Sequence, residues 1–354
     1  MSDSEEEAFH NKAAADELER KVEVAEALKV MRRELQQQGL PGWKVKYLPA
    51  KGPLHDFCLE LDVYDREQNC LAFYNEAGIH DKLRSIPDCH LYLPGLYYSD
   101  DKMIAMDDLV ESHNFEPYKM EDPMDFSLAA DCIKALAYFH AVLPIEAARS
   151  RFLKPREATY RVMGQILNEG IADLKEGGDS LLSPSVVEVI EENRDFIQSV
   201  MVGNPDKLTV GDAILVVAHE DMWSNNIMTH QRPDGTTEIA IVDHQFPEVD
   251  TPSVDIVFFI FCSMAVEARR AHMKDLFQLY ADTFSAASKE YPSSEQVWTD
   301  ITSATSLRRG AAKAIGMMIS GESGGCDLFL GHTPEMRVRF VEALKDLSDM
   351  LTSS

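Results

Sequence analysis

Three short polar segments in the second half of the chain combine carboxylate, amide and imidazole side chains at close spacing. They are His219-Glu220-Asp221, Asn225-Asn226 and Asp243-His244-Gln245. Magnesium prefers hard oxygen ligands, which the Asn226 amide and the Asp243 carboxylate offer. Asp221, if it stays free of the metal, can accept the proton of a hydroxyl group. The set therefore indicates a site that positions a nucleoside triphosphate, with its magnesium, against an alcohol.

The order of the flanking residues supports this interpretation. A continuous apolar run, Ala213–Ala218, leads into the loop that holds Asp221 and Asn226, as a buried strand would. The later residues predict a strand over 227–230, a turn at Arg232-Pro233-Asp234-Gly235 and a returning strand over 238–242. This hairpin would bring Asp243 back beside Asn226. The alternative is that the two asparagines are ordinary turn residues.

Composition limits the class of partner. The chain has 354 residues, a net charge of −26 and 45% hydrophobic residues, which fits a globular protein large enough for two lobes. Because polyanions would be repelled, neither nucleic acid nor an anionic membrane is expected as a partner. The longest apolar run, Ile256–Val266, is too short to cross a bilayer and is interpreted as a core helix.

The six cysteines are scattered and form no closely spaced pair of the kind that binds zinc. Several lie within apolar patterns, which is typical of buried thiols in a reducing compartment. Residues 1–7 are mostly acidic and carry no signal-peptide pattern. A cytoplasmic location is therefore expected.

Periodicity divides the chain into an acidic disordered segment at 1–12, a small lobe at 13–107 and a large helical lobe at 108–354. The small lobe is expected to be α/β, with helices over 13–38 and 66–85 and strand candidates over 43–48, 57–64, 91–93 and 103–106. The large lobe is expected to hold helices over 126–143, 155–175, 184–201, 254–289, 294–320 and 334–352. The fold class is thus α+β.

Several segments resemble the ecdysteroid-kinase-like, or CHK kinase-like, family. His219–Met228 resembles its "HGDLWxNNxM" signature, Val242–Gln245 its "DFQ" and Leu136–Ala141 its "LAxFHA" helix. Asp255 resembles the Asp that props the catalytic loop, and Asp107–Leu109 the "EDL" hinge. The resemblance covers roughly residues 43–350. This family is related to choline kinases and aminoglycoside phosphotransferases.

The resemblance implies a two-lobed, protein-kinase-like fold and transfer of phosphate from ATP, with Mg²⁺, to a hydroxyl of a small molecule, steroid-like or another alcohol. It implies that Asp221 is the catalytic base and that His219 supports the catalytic loop. Asn226 and Asp243 would bind the metal and the nucleotide. Glu76 would be the helix glutamate of the small-lobe frame.

The first half of the chain departs from the family pattern. Glu60 stands where the family has the phosphate-binding Lys, and no glycine-rich loop is recognisable, so the small lobe is expected to be reduced. Lys44, Lys46 and Lys51 are candidate replacements, although each fits an ordinary solvent-facing lysine. These departures motivate a second hypothesis, a pseudokinase that binds or scaffolds without turnover.

Five further polar residues lie in or near the motifs or in the later helical segments. His140 is expected to be a hydrogen-bonded core histidine, and His244, which replaces an aromatic residue, is expected to pack. Glu220 replaces the signature's Gly and adds negative charge beside Asp221. The pair Arg308-Arg309 is expected to be exposed at the surface, where it could meet an anion.

Overall fold

The structure, a computed structural model, describes residues 76–87, 89–99, 104–145, 157–176, 182–201, 213–244, 246–291, 293–322 and 333–352. Several predictions lie outside these ranges. They are the disordered segment at 1–12, the helix over 13–38, the strands over 43–48 and 57–64, and the roles of Glu60, Lys44, Lys46, Lys51 and Gln245. Most of the proposed small lobe also lies outside these ranges, and the division into lobes at residue 107 stays a prediction.

Most described residues are helical. Helix α1 covers residues 76–84. The others are α2 (Leu109–His113), α3 (Phe126–Val142), α4 (Glu157–Glu176), α5 (Pro184–Glu192), α6 (Arg194–Met201), α7 (Ser253–Ser263), α8 (Val266–Ala287), α9 (Ser294–Ile301), α10 (Ala304–Glu322) and α11 (Pro334–Thr352). No described helix combines the length and the hydrophobicity that a bilayer crossing requires.

Three small antiparallel sheets accompany these helices. Strands β1 (Leu96–Ser99) and β2 (Ile104–Met106) pair with each other. Strand β5 (Ile227–Gln231) lies between β3 (Glu116–Pro117) and β6 (Thr237–Ile241), and β4 (Val216–Ala218) pairs with β7 (Glu248–Asp250). The described part of the chain is therefore α+β, as predicted.

Three helices predicted as continuous are each two helices. The prediction over 254–289 is wrong at Met264-Ala265, where the chain extends and Ala265 N–H donates to Met124 O at 3.2 Å. The prediction over 184–201 is interrupted at Asn193, whose side-chain amide donates to Val189 O at 2.9 Å. The prediction over 294–320 is interrupted at 302–303, where the Ser303 hydroxyl accepts from Ser306 N–H at 3.2 Å.

The predicted strands also need correction at their ends. Residues 91–93 are not a strand, and the strand at this point is β1 instead. The apolar run Ala213–Ala218 forms a strand only over its last part, β4. Before β4 the backbone bonds to a side chain and not to a neighbouring strand, since Ile214 N–H donates to the Asp300 carboxylate at 3.0 Å.

Helix α7 lies at the centre of the core, and each of its residues is buried. It corresponds to the apolar run that the sequence assigned to a core helix. Helix α10 packs so closely against it that a Cβ added at Gly310 would collide with Ser253 O and the Val257 side chain. Glycine is therefore required at this crossing. The first turn of α7 carries Asp255, which faces the loop after β4.

Candidate active site

The loop that follows β4 is held in place by one buried carboxylate. Asp255 accepts hydrogen bonds from the backbone N–H of His219 at 2.6 Å and from that of Glu220 at 2.9 Å. His140 of α3 donates to the same carboxylate from Nε2 at 2.9 Å, and its Nδ1 is hydrogen-bonded to the Tyr280 hydroxyl of α8 at 2.7 Å. Three helices, α3, α7 and α8, thus fix the start of the loop.

The charge of Asp255 is maintained by these contacts. Burial raises the pKa of Asp255, but the hydrogen bond and the nearby charge of His140 lower it more, so the net shift is downward. A carboxylate that accepts three donors is stable without solvent. His140 is therefore the hydrogen-bonded core histidine that its helical position predicted, and its two partners are now identified.

Asp221 and Asn226 face each other across the loop. The Asn226 side-chain amide donates to the Asp221 backbone oxygen at 2.8 Å and to its carboxylate at 2.9 Å. Both donated bonds use the nitrogen, so the amide oxygen points away from Asp221. Asp221 is half-buried, and Asn226, in the short 3₁₀ turn Ser224–Asn226, is buried. Burial raises the pKa of Asp221, while His219 and the Asn226 bond oppose that rise.

The β5–β6 hairpin returns Asp243 to the loop. In its register Ile227 lies opposite Ile241, and Val242 N–H donates to Asn226 O at 3.0 Å. His219 donates from Nε2 to Val242 O at 3.1 Å, which links the loop to the strand end. The structure therefore brings Asp243 beside Asn226, in the arrangement that the hairpin pattern predicted.

Asp243 adopts a left-handed backbone conformation with φ 67° and is half-buried. Burial, followed by the negative charges of Asp221 and Glu76, raises the pKa of Asp243 to about 7. The carboxylates of Asp221, Asp243 and Glu76 carry like charges and therefore repel one another unless a cation lies between them. Positive φ in a residue other than glycine is uncommon and concentrates at functional sites.

Glu76 lies at the first described position of α1 and is buried. Its Oε1 accepts a hydrogen bond from His80 Nε2 at 3.0 Å, one helical turn further along. The charge of Glu76 contributes to the raised pKa of Asp243, so the two carboxylates belong to one site. The role of Glu76 as the helix glutamate of the small-lobe frame stays a prediction.

The donor set fits a magnesium ion. The Asp243 carboxylate and the outward amide oxygen of Asn226 are hard oxygen donors on adjacent strand ends. Asp221 Oδ2 accepts a hydrogen bond from the Asn226 side-chain nitrogen, so Asp221 Oδ1 is not used by Asn226. A divalent cation at this point would neutralise the repulsion that raises the pKa of Asp243.

Two interactions at the site were not anticipated. Lys313 of α10 donates to the Glu220 carboxylate, and both side chains are buried. Arg309, one turn earlier, binds Asp250 through two hydrogen bonds of 2.5 Å. The expectation that Arg308 and Arg309 are exposed is wrong: both are half-buried, and Arg308 donates to Asn193 Oδ1 at 3.1 Å. No sequence spacing marks these pairs, because their members come from distant segments.

The aromatic position after Asp243 is occupied by His244, which is buried. Its ring stacks on Phe139 of α3 with the centroids 5.2 Å apart and the planes at 9°. It also meets the His219 ring edge-on at 4.9 Å. The expectation that His244 packs is therefore correct. Burial, followed by the charges of His219 and His80, lowers the pKa of His244 well below its usual value.

Comparison with known proteins identifies one family. Residues 45–291 match the model described as the ecdysteroid kinase-like family. No curated protein sequence matches the chain.

Solved structures show weak similarity at low sequence identity. A choline kinase from Cryptosporidium parvum Iowa II is 14% identical, with 85% of this chain and 80% of that chain covered and a TM-score of 0.45. A choline/ethanolamine kinase family protein from Mesorhizobium loti is 10% identical, with 92% and 95% covered and a TM-score of 0.45. The choline kinase LicA from Streptococcus pneumoniae is 13% identical, with 92% and 99% covered and a TM-score of 0.41.

Proposed function

The chain belongs to the ecdysteroid kinase-like family, whose model matches residues 45–291, and the described part of the chain has an α+β fold. From this membership and the geometry of the loop we propose that the protein transfers the γ-phosphoryl group of ATP to a hydroxyl of a small molecule. One observation supports this most strongly. The β5–β6 hairpin sets Asp243 beside Asn226, and Asn226 is hydrogen-bonded to Asp221.

In this proposal Asp221 is the catalytic base. Its carboxylate is oriented by Asn226 and accepts the proton of the acceptor hydroxyl. The acceptor oxygen bonds to the γ-phosphorus as the bond from this phosphorus to the β–γ bridging oxygen breaks, which releases ADP. Half-burial and the raised pKa of Asp221 favour proton uptake over permanent ionisation. His219 keeps the loop in register through Val242 and does not touch the reacting atoms.

Asn226 and Asp243 would hold the metal. Magnesium, when bound, neutralises the negative charge of the phosphate groups. The chain's contribution is to hold these two oxygen donors in position before nucleotide arrives, through the bond from Val242 N–H to Asn226 O. Glu76 would belong to the small-lobe frame beside these two residues, since its charge contributes to the raised pKa of Asp243.

The acceptor is proposed to be a neutral or cationic alcohol. The net charge of −26 disfavours an anionic acceptor at long range. The family's description points to an ecdysteroid, which is a neutral alcohol. The buried free thiols Cys132 and Cys262 suit a reducing cytoplasm, where ATP is available.

Nucleotide binding tests the proposal without knowledge of the acceptor. Melting of the full chain would be followed with millimolar ATP and MgCl₂, and a rise of about 2–4 °C is expected because ligand binds only the folded state. Asp243→Ala should abolish the rise. Asp234→Ala, in the exposed turn of the same hairpin, is the matched control and should keep it.

Two results would overturn the proposal. One is a wild-type melting temperature that does not respond to ATP and magnesium, which would instead support a binding or scaffolding protein. The other is an equal rise in Asp243→Ala, which would place the nucleotide elsewhere. A positive result leads to a screen of alcohols for ATP-dependent phosphorylation, detected by mass spectrometry.

A further inference from the structure

Three buried side chains beside the candidate active site form a cluster of metal-binding type. Glu76, His80 and His244 each offer a ligand atom, and these atoms lie within 4.8 Å of one another. All three side chains are buried. Two of them come from one face of α1, four residues apart, and the third comes from the segment after β6. The cluster therefore joins two separate parts of the chain.

The polar atoms of this cluster are poorly satisfied. Glu76 Oε2, His80 Nδ1 and both ring nitrogens of His244 make no hydrogen bond of normal geometry in the part of the chain that the structure describes, although the Ile241 backbone lies close to the His244 ring. A buried polar atom without a partner destabilises the fold, so four in one place need an explanation. The one internal bond, from His80 Nε2 to Glu76 Oε1 at 3.0 Å, leaves His244 unaccounted for.

Packing alone does not explain a histidine at position 244. Its ring stacks face to face on Phe139 and meets His80 edge-on, with the centroids 5.6 Å apart. A phenylalanine, which the family signature carries at this point, would make the same contacts without two buried nitrogens. Imidazole adds one property that phenyl lacks, a nitrogen lone pair that binds a metal.

We propose that Glu76, His80 and His244 bind a divalent transition-metal ion, with zinc the ion that the donor set suits best. Two imidazole nitrogens and one carboxylate oxygen are a known zinc ligand set, and water would fill the fourth position. Tetrahedral ligands at about 2.1 Å from zinc lie roughly 3.4 Å apart, so the present spacing needs only a small contraction. Magnesium is disfavoured here because it prefers oxygen ligands.

This site is distinct from the magnesium position at Asn226 and Asp243, and it does not depend on the proposed phosphoryl transfer. Its ligands include nitrogen donors, and two of its three side chains lie on α1 and not on the catalytic loop. The expected effect of the ion is mechanical. It would tie α1 to the residue that follows Asp243, and so fix the helix against the end of the β5–β6 hairpin.

Metal content measures the proposal directly. The full chain, free of any histidine tag, would be incubated with ZnSO₄, dialysed and analysed by inductively coupled plasma mass spectrometry. About one tightly held zinc per chain is expected. His80→Gln and His244→Phe should each weaken zinc binding at least about tenfold. His272→Gln, which changes an exposed histidine paired with Asp275, is the matched control and should bind zinc normally.

Cobalt gives a spectroscopic measurement that does not depend on the variants folding. Co²⁺ added to the wild-type chain should produce the visible absorption of a low-symmetry site with nitrogen ligands, and zinc should abolish it. Asp243→Ala should retain one zinc, because Asp243 is not a ligand. Loss of zinc in Asp243→Ala, no retained zinc in the wild type, or unchanged zinc in both His80→Gln and His244→Phe would overturn the proposal.

Discussion

Lys313 donates a hydrogen bond to Glu220, and the two side chains expose only 5% and 7% of their surface. Glu220 has φ 70°, at a position where the family signature has glycine. Burial raises the pKa of Glu220 to about 7, and the charge of Lys313 opposes that rise. The lysine thus explains how a glutamate is accommodated beside Asp221, because it neutralises the added charge.

Breaking this pair from one side should destabilise the fold. Glu220→Gly would relieve backbone strain of about 1 kcal/mol but leave the Lys313 ammonium buried without a partner, and the free energy of unfolding should fall by about 2–4 kcal/mol. The double variant Glu220→Gly with Lys313→Met should recover most of this loss. Urea unfolding of the four proteins measures the coupling. Additive effects of the two substitutions would contradict a direct interaction.

Asp221→Asn should separate binding from turnover. The Asn226 amide can still donate to the new side-chain oxygen and to the Asp221 backbone oxygen, so the loop should persist. ATP and magnesium should bind as in the wild type, while phosphoryl transfer falls by about 10²–10⁴. Calorimetry gives the Kd for ATP, and a steady-state assay with an acceptor from the alcohol screen gives the rate of phosphoryl transfer. Full turnover in this variant would refute the role of Asp221 as base.

Asp255→Asn should disturb the loop although it removes no proposed ligand. An amide has one acceptor oxygen, so its NH₂ group would face the N–H of either His219 or Glu220. The free energy of unfolding should fall by about 3–5 kcal/mol, as for a broken buried charged contact. Melting temperature and the Kd for ATP should both change. Asp275→Asn, an exposed carboxylate that pairs with His272, is the control and should change neither.

A carboxylate far from the site should set part of the acid limit of stability. Asp346 binds the buried Arg269 and, at 2.8 Å, Arg270. Burial raises the pKa of Asp346, but the hydrogen bonds from these two arginines lower it more. Because the pKa of Asp346 is lower in the folded state, the ionised carboxylate stabilises the fold. This stabilisation is complete above the unfolded pKa, roughly 3.9, and is lost as the pH falls through the folded pKa.

Asp346→Asn should therefore flatten the dependence of stability on pH below about 4. At neutral pH the variant should lose about 2–4 kcal/mol, because an amide oxygen can accept from Arg269 but does not compensate its buried positive charge. Urea unfolding from pH 3 to 7 measures both effects. A variant whose acid limb has the same slope as the wild type would show that Asp346 does not titrate with folding.

Local pattern predicted the candidate site well. The loop, the turn at Arg232–Gly235 and the two strands are read from short-range spacing, and hydrogen bonds along the hairpin then fix Asp243 beside Asn226. The helix interruptions were missed because each depends on one polar side chain, such as Asn193, or on a distant backbone partner, such as Met124. Composition does not encode these choices.

Long-range partners were beyond the reach of pattern. Lys313 lies in an otherwise ordinary amphipathic helix, and nothing adjacent indicates that it meets Glu220. The spacing of His80 from Glu76 does carry a signal in the sequence. It follows Glu76 by one helical turn, a spacing that places two ligands on one face, but the third ligand is identified only when the fold brings His244 to them.

Helix α7 has no solvent-exposed residue, and the carboxylate that anchors the loop belongs to its first turn. Segments of proteins that open independently are those with few buried apolar contacts, whereas every residue of α7 is buried. The backbone of the loop with Asp221 is thus bound directly to a fully buried helix. Loss of ATP and magnesium binding on heating and melting of the helical core should follow the same temperature curve, with no folded species between them that has lost binding.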